Sequence, residues 1–516
     1  MNKTRTENVA KNVVLSTIFQ LVAYILGFVG RTIFIKILGK EYLGLNGLFT
    51  NILTLLSFAE LGIGSAIVYS MYKPLAIKDN TKLKQLINFY KKAYFYIGLI
   101  VVIGALAFAP FLDFFIKDAP DIKENLVVIY LLFAFNTAIS YFFSYKTSIL
   151  SADQKNYLIV VYTKTFKIIA IFVQIVVLYL THNYYLYLII ELVATLITNI
   201  LLYIKSNKLY PELRDTGDLT LPKEEKDSIL TNIKSLVIYK VGGVALNGTD
   251  NLIISKYLGL VVGGVYSNYQ LLVNAVTEIV GQVTNSFTAS IGNLNSISSV
   301  EKKEEVFYKI LYFTYLLFGV CSISLLIVLS DVVDIWLGKD FLLDFFTVSM
   351  IVGHFYVNGV QYASFSYRNT LGLFRQAKLG PLLATIINIV LSIVLAKKIG
   401  LGGVFLATIV ARFLSYGIID PIVVYKTEFK KSVLIYYKKY FKYLFFVAIT
   451  FVVVYEITSI IPNSNLLYVM LEGIIAVTVS FLLLVLFTFK TKEYSGLKEN
   501  FIQLFQKFKD KRKRTV

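Results

Sequence analysis

Several long apolar segments of this sequence carry polar residues at helical spacing, and these residues could bind a ligand. In segment 12–37, Gln20, Tyr24 and Arg31 lie four and seven positions apart, so they share one face of a helix. Charged groups inside a membrane are costly unless they face a cavity or a partner. The comparable residues are Lys240, Asn247 and Asp250 in segment 229–258, Thr50 and Glu60 in segment 45–70, and Asn274 and Glu278 in segment 262–291.

Two of these residues, Arg31 and Lys240, are cations whose charges are hard to bury without a role, and we expect them to line a water-filled cavity. The acids Glu60, Asp250 and Glu278 could be coupling groups in that cavity or ion-pair partners of the cations. The amides and hydroxyls have a structural alternative, because polar residues in membrane helices often hydrogen-bond neighbouring helices.

Other polar residues inside apolar segments favour structural roles. Lys164 and Lys167 lie three residues apart in segment 156–180, and we expect them to extend toward cytoplasmic headgroups. Glu191 and Arg412 are expected to pair with other groups inside the helix bundle.

The residue types give no support for metal, redox or nucleotide chemistry. The sequence has one cysteine, Cys321, and two distant histidines, His182 and His354, which do not have the spacing of a zinc, haem or iron–sulfur site. It has no G-x-x-x-x-G-K-[ST] motif for binding the phosphates of ATP. We therefore expect no cofactor, no metal and no covalent catalysis.

The composition indicates that lipid surrounds most of the chain. Of the 516 residues, 57% are hydrophobic and 16% charged, whereas a soluble domain is about 45–50% apolar and about 25% charged. A membrane-spanning helix needs about 20 mostly apolar residues, and fourteen segments qualify. They are 12–37, 45–70, 89–112, 125–150, 156–180, 184–205, 229–258, 262–291, 306–330, 342–367, 379–397, 402–425, 440–461 and 465–489.

Positive charge predicts the orientation of these segments. The loops on the N-terminal side, together with both tails, hold 37 lysines and arginines, against 8 in the opposite loops. Because cytoplasmic loops are enriched in these residues, both termini are predicted to be cytoplasmic. The net charge of +19 then reflects topology and contact with lipid headgroups rather than binding of nucleic acid.

Short matches between the two halves indicate an internal duplication. KILG at 36–39 reappears as KYLG at 256–259, and the same offset places Gly44 on Gly264. A second match, at nearly the same offset, relates Tyr145-Lys146 to Tyr367-Arg368. Each repeat has an even number of helices, so both enter the membrane in the same direction, as expected for two lobes that rock against each other.

The sequence therefore predicts an all-α integral membrane protein of about fourteen helices, with two parallel six-helix lobes and two extra C-terminal helices. The predicted organisation is an N-lobe at 1–205, a cytoplasmic inter-lobe loop at 206–228, a C-lobe at 229–425, two further helices at 438–489 and a basic cytoplasmic tail at 490–516.

A run of motifs near the start of the second span carries a family resemblance. GKEYLGLNGLFTN at 39–51 continues through LSFAELGIG at 56–64 to YKPL at 72–75, and YSNY stands at 266–269. The chain resembles the polysaccharide repeat-unit flippases (Wzx-type, with a MATE-like fold) of the multidrug, oligosaccharidyl-lipid and polysaccharide exporter superfamily. The resemblance extends over nearly the whole chain.

The resemblance implies a cargo and a mechanism. The cargo would be an undecaprenyl-pyrophosphate-linked oligosaccharide, moved by alternating access from the inner to the outer leaflet of a bacterial cell membrane. The product would supply capsule, exopolysaccharide or a teichoic-type polymer. Implied partners are this lipid-linked oligosaccharide, membrane lipids and a polysaccharide polymerase complex. Arg31 and Lys240 are cations of the type that the family uses to hold pyrophosphate or acidic sugars.

Two other functions of the same fold stay open. A multidrug or cation antiporter would need an acidic, aromatic cavity, for which Glu60, Asp250 and Glu278 are candidates. A lipid II flippase would have more cavity arginines than the single Arg31 found in the first two spans. A membrane enzyme is disfavoured, because the predicted outer loops are too short to hold a catalytic domain.

Overall fold

In the described part of the chain, every regular element is a helix. The structure is a computed structural model and describes residues 5–60, 63–117, 120–153, 155–214, 217, 219–227, 229–230, 248–373, 376–461 and 465–499. The chain forms two compact units, the first ending at Gly264 and the second beginning at Val265. Lys240, Asn247 and the tail from residue 500 lie outside the described residues, as do the side chains of Gln20 and Tyr24.

The first unit is a bundle of long helices. Asparagine or aspartate begins several of them: the Asn125 side chain accepts hydrogen bonds from two backbone N–H groups, and Asp79 and Asn183 cap their helices in the same way. Residues 248–257 of this unit are also helical. The named helices are α1 (Arg5–Leu38), α2 (Lys40–Leu56), α3 (Ile63–Ile77), α4 (Asn80–Phe108), α5 (Leu126–Ala152), α6 (Asn156–Thr181) and α7 (Tyr184–Leu209), and α8 (Leu260–Ile297) begins in this unit.

The second unit continues along α8 and then through α9 to α15. Phe307 lies at the centre of an aromatic cluster and meets Tyr367, Tyr425 and Phe429 edge-on, at 5.1 to 5.9 Å between ring centroids. The helices are α9 (Val300–Leu337), α10 (Phe345–Val360), α11 (Tyr362–Thr370), α12 (Leu379–Leu414), α13 (Tyr416–Val424), α14 (Leu434–Thr458) and α15 (Leu466–Leu486).

Breaks in these helices occur at identifiable residues. After α2, a 3₁₀ turn at Ser57–Glu60 separates α2 from α3, so the predicted span 45–70 is not one continuous helix. Within α12, Ile399 and Gly400 leave helical geometry, and Gly400 has φ +69°, which favours glycine. This kink falls between the predicted spans 379–397 and 402–425.

The chain is a multi-pass membrane protein. Among the described residues, eight stretches are long and apolar enough to cross a membrane, and the longest of them, Leu379–Phe429, contains the kink at Gly400. Helices suit this environment because all of their internal backbone groups are hydrogen-bonded within the helix. The count of fourteen spans is compatible with this arrangement and stays a prediction.

The segment after α7, which belongs to the first unit, packs against α4 and α5. Lys146 lies near the C-terminal end of α5, and its side chain is buried. Its Nζ donates a hydrogen bond to the Leu213 carbonyl at 2.7 Å. The Asn88 amide on α4 donates to the Leu219 carbonyl at 3.0 Å. Part of the predicted inter-lobe loop 206–228 is therefore fixed to the ends of α4 and α5.

The hydroxyl of Tyr210, just after α7, reinforces this docking. It donates to Asp153 at 2.6 Å and accepts from Lys155 at 3.2 Å. Burial, together with the hydrogen bond to Asp153, raises the pKa of Tyr210 well above its ordinary value.

Candidate functional site

The first unit contains a polar cavity of about 380 Å³, which is within the usual size range of ligand pockets. Four helices contribute to it, and α2 supplies the largest share at intervals of three and four residues, which places those residues on one helical face. The lining residues are Asn46, Thr50, Leu53, Thr54 and Ser57 on or just after α2, Phe133, Asn136 and Thr137 on α5, Lys167 on α6, and Tyr187, Leu188 and Glu191 on α7.

An ion pair lies in the wall of this cavity. The Lys167 Nζ is 2.5 Å from Glu191 Oε1. The Gln174 amide, on the next turns of α6, donates to Glu191 Oε2 at 3.2 Å and to the Tyr187 carbonyl at 3.0 Å. The predicted extension of Lys167 to cytoplasmic headgroups is therefore wrong, because a carboxylate on the neighbouring helix holds its ammonium group in the cavity wall. The expectation that Glu191 pairs inside the bundle is met.

The remaining polar groups of the cavity are mostly amides and hydroxyls. The hydroxyls of Thr54, Ser57 and Thr137 donate to backbone carbonyls four residues earlier, at 2.7 to 3.0 Å, which leaves their oxygen atoms able to accept hydrogen bonds. Asn46 accepts a hydrogen bond from Tyr184. The buried Oδ1 of Asn136 has no hydrogen-bond partner among the described residues, so it can accept one from a ligand.

Two residues predicted for the site lie next to this cavity without lining it. Arg31 is half-buried on α1, close enough to interact with Tyr187, which lines the cavity. Glu60, at the end of the 3₁₀ turn, contacts Tyr141, which also hydrogen-bonds the cavity residue Ser57. The structure therefore brings Arg31 and Glu60 to the neighbourhood of one cavity, through tyrosines in both cases.

Three further predicted site residues, Asn274, Glu278 and Asp250, belong to the described residues and are not among those that line this cavity. Asn274 and Glu278 are exposed on α8, in the second unit. Asp250 is buried in the first unit, 7% exposed. Thr50, which the sequence places on the polar face of the second span, does line the cavity, and Ser57 lies one further step along the same face.

Among the described residues, no group of three or more His, Cys, Asp or Glu side chains could hold a metal ion. The polar groups of the cavity wall are a lysine, a carboxylate, amides and hydroxyls. Such groups can hydrogen-bond a polyhydroxylated or charged ligand.

Comparison with known proteins decides the family. The family profile described as "Polysaccharide biosynthesis protein" matches residues 9–291, more than half of the chain. The chain belongs to the polysaccharide biosynthesis protein family. A search of curated protein sequences found no match.

Solved structures give the fold of this family member. The chain is similar to the lipid II flippase MurJ in an inward closed conformation, with 16% identity and a TM-score of 0.63, covering 92% of this chain and 98% of that one. It is also similar to an inward-facing multidrug resistance MATE family transporter of the MOP superfamily, with 13% identity and a TM-score of 0.58, covering 82% and 98%. The family match and this shared fold together confirm the predicted resemblance, and the solved structures confirm the all-α fold.

Glycines that the predicted repeat makes equivalent are in reciprocal contact at the starts of α2 and α8. A Cβ atom built on Gly44 would lie 2.1 Å from the Leu260 carbonyl oxygen, and one built on Gly264 would lie 2.2 Å from the Lys40 carbonyl oxygen. Lys40 and Leu260 are themselves equivalent at the offset that relates Gly44 to Gly264. Such a reciprocal contact is what a local two-fold relation between the repeats requires.

Buried cations mark a second pair of repeat-equivalent positions. Lys146 and Arg368, related by the second sequence match, are 3% and 0% exposed. Lys146 donates a hydrogen bond to the Leu213 carbonyl, whereas Arg368 Nη1 lies 2.9 Å from Oδ1 of Asp420, which is also buried. The two halves of this family member therefore keep a buried cation at the same place and satisfy it with different partners.

Proposed function

We propose that this protein is a flippase that moves an undecaprenyl-pyrophosphate-linked oligosaccharide from the inner to the outer leaflet of a bacterial cell membrane by alternating access. The observation that carries the proposal is membership of the polysaccharide biosynthesis family in a chain with the fold of flippases and multidrug transporters. The oligosaccharide would enter capsule, exopolysaccharide or a teichoic-type polymer, with a polymerase as partner on the outer side.

The chemistry of the first-unit cavity supports a carbohydrate cargo. Its wall presents two asparagines, several hydroxyls and the Lys167–Glu191 pair. Sugar hydroxyl groups both donate and accept hydrogen bonds, and the cavity wall contains acceptors and donors that can bind them. The charge of Lys167 is matched by Glu191, so the pocket suits neutral or zwitterionic sugar groups better than a pyrophosphate.

The pyrophosphate would bind to cations outside that pocket. Arg31, beside the cavity, and Lys240, in the seventh predicted span, are the candidates of this proposal. Guanidinium groups bind phosphates through two parallel hydrogen bonds, and such contacts are strong in a partly desolvated site. Carrying negative charge outward is favoured by an inside-negative potential, by about 2.3 kcal/mol per charge for each 100 mV, which would drive transport without ATP.

The antiporter alternative has less support from the cavity. A cation-selective pocket needs an uncompensated carboxylate or an aromatic box, whereas Glu191, the acid in the cavity wall, is paired with Lys167. Lipid II remains the second candidate cargo because the solved MurJ structure shares the fold.

Deletion of the gene in its host tests the proposal most directly. We expect an oligosaccharide linked to undecaprenyl pyrophosphate to accumulate on the cytoplasmic leaflet, and mass spectrometry of the extracted lipids would identify its sugars. Re-expression of the intact chain should clear it, whereas Arg31→Ala should not. Accumulation of lipid II would favour the second candidate. Normal lipid pools together with increased drug sensitivity would overturn the flippase assignment.

A further inference from the structure

Among the polar groups that line the first-unit cavity, the Asn136 amide on α5 has its hydrogen-bonding capacity unused. Its Oδ1 atom is buried, and neither this oxygen nor the amide nitrogen has a hydrogen-bond partner among the described residues. In the same wall, Asn46 accepts from Tyr184 and Lys167 is paired with Glu191. A buried polar group without a partner has lost its hydration at a cost in free energy, and a ligand that hydrogen-bonds it recovers that cost.

An aromatic ring lies beside this amide. Phe133 precedes Asn136 by three positions, so both lie on one face of α5, and both line the cavity. The Phe133 ring packs edge-on against the fully buried Phe49, at 5.9 Å between centroids, which fixes its position. A pocket with an apolar wall and a few placed polar groups can orient a ligand that has an apolar face and a polar edge, as a sugar ring has.

The shape of an amide group indicates which polar edge it can bind. An amide presents one acceptor and one donor side by side. Two hydroxyls on neighbouring carbons of a sugar ring match this arrangement, because one can donate to Oδ1 while the other accepts from Nδ2. Phosphate and carboxylate groups offer acceptors only, and an ammonium group offers donors only, so each of them leaves one end of the amide unmatched.

The charged groups of the cavity favour the same kind of ligand. Glu191 Oε1 is 2.5 Å from Lys167 Nζ, and Glu191 Oε2 accepts from Gln174, so both carboxylate oxygens are engaged. Gln174 is buried and also donates to the Tyr187 carbonyl, which fixes the arrangement. A charged ligand would compete with one member of the ion pair, whereas an uncharged sugar can hydrogen-bond both members without separating them.

We propose that Asn136 determines which sugar the first-unit cavity accepts, by binding two neighbouring free hydroxyl groups of an uncharged pyranose ring. The inference rests on the proposed carbohydrate cargo and narrows it. A sugar that is deoxygenated or substituted at either of these two positions binds the cavity more weakly.

Asn136→Leu tests this role in the host, because leucine has nearly the same size and lacks both hydrogen-bonding groups. Polymer export should fall about ten- to hundredfold at unchanged membrane abundance. The melting temperature should equal that of the wild type or exceed it, since an apolar side chain removes the buried unpaired oxygen. A lower melting temperature with export reduced only in proportion to abundance would show a structural amide and overturn the proposal.

Asn207 supplies the matched control. Its Oδ1 atom is also buried without a hydrogen-bond partner among the described residues, but it lies in the last turn of α7 and does not line the cavity. Asn207→Leu should therefore keep wild-type export. Equal loss of export in both variants would overturn the proposal.

Binding of simple sugars tests the site without reference to transport. Saturation-transfer NMR is recorded on the purified protein in lipid nanodiscs with the methyl pyranosides of glucose, galactose and mannose. At least one should receive magnetisation from the wild type but not from Asn136→Leu, and its deoxy derivative at a bound position should receive less. Absence of transfer to all three from the wild type, or equal transfer from Asn136→Leu, would overturn the proposal.

Measurements in the host distinguish a wrong cargo from a wrong residue. If deletion of the gene causes no lipid-linked oligosaccharide to accumulate, the proposed function fails, while sugar binding in nanodiscs still tests Asn136. If the oligosaccharide accumulates in the deletion strain and Asn136→Leu clears it as fast as the wild type, the role of Asn136 alone is overturned.

Discussion

At the scale of single residues, the burial of an ion pair determines how much the protein loses when one member is removed. Arg368 and Asp420 are 0% and 2% exposed and form an ion pair at 2.9 Å. The Lys302–Glu305 pair on α9 has the same 2.9 Å separation, but its side chains are 52% and 48% exposed. Removing one member of a buried pair leaves the other charge buried, with neither a partner nor water to solvate it. An exposed ion is solvated whether or not it is paired.

This contrast predicts different costs for matched substitutions. Asp420→Ala should destabilise the protein by about 3–5 kcal/mol, whereas Glu305→Ala should change stability by about 0–1 kcal/mol. Replacing both members, as Arg368→Met with Asp420→Leu, should recover much of the loss. Thermal unfolding in detergent measures all three. A wild-type melting temperature for Asp420→Ala would show that the pair contributes nothing.

Arg31 carries the residue-scale prediction about cargo. Arg31→Ala should reduce transport by about ten- to hundredfold, since a charged hydrogen bond contributes about 1.5–3 kcal/mol. Arg31→Lys keeps the charge but loses the two-pronged geometry, so it should be partly active. Lys36→Ala removes an exposed cation from the same helix and serves as the control. Polymer export and membrane abundance are measured together.

The outcome for a double variant separates binding from structure. If Arg31 only paired with Glu60, then Arg31→Ala with Glu60→Ala would restore export. Under the proposed role in cargo binding, the double variant stays inactive while the protein remains inserted. Full export by a well-expressed Arg31→Ala protein would remove Arg31 from the site.

At the scale of helices, the contact between the starts of α2 and α8 leaves no room for a side chain. Gly44→Ala would place its Cβ about 2.1 Å from the Leu260 carbonyl oxygen, so the two helix starts must move apart. Gly47→Ala, on the same helix, meets no atom within 4 Å and is the matched control. Because these glycines occupy repeat-equivalent positions, Gly264→Ala should act in the same direction as Gly44→Ala.

Disulfide crosslinking can measure this separation. Cysteines at Lys40 and Leu260, in a Cys321→Ser background, should crosslink efficiently, and closing this contact permanently should block transport by alternating access. Adding Gly44→Ala should lower the crosslinking yield, whereas Gly47→Ala should not. A crosslinked protein that still transports at the normal rate would argue against rocking of the repeats at this place.

At the scale of the whole molecule, the distribution of lysine and arginine makes the orientation testable. Single cysteines at Lys78 and Lys223 should be protected from impermeant maleimide in intact cells, and one at Asp121 should be labelled, because the loops rich in basic residues are expected to be cytoplasmic. All three require the Cys321→Ser background. Labelling at Lys78 or Lys223 would reverse the predicted topology.

The first compact unit extends to Gly264, beyond the predicted N-lobe boundary at residue 205. Three contacts explain the extension. Lys146 and Asn88 hydrogen-bond the segment after α7, and Gly264 lies against Lys40. The boundaries of the lobes as moving bodies stay a prediction.

The sequence by itself determined the membrane class and the all-α fold, and it predicts the polar helix faces and the repeat. The length and periodicity of apolar segments are local properties, and the cost of exposing a backbone to lipid leaves a helix as the available conformation for each. The equivalence of Gly44 and Gly264, and of Lys146 and Arg368, could likewise be read from short matches at a nearly constant offset.

Only the tertiary structure decided which polar side chains meet. Lys167 contacts Glu191 on the next helix, and Arg368 pairs with Asp420, which lies on a different helix. Neither contact follows from the polar spacing of one helix. Periodicity gives the face on which a residue lies, but the neighbour of that face depends on how the helices pack. For this reason the sequence assigned Lys167 to the lipid headgroups, while packing placed it beside a carboxylate in a cavity wall.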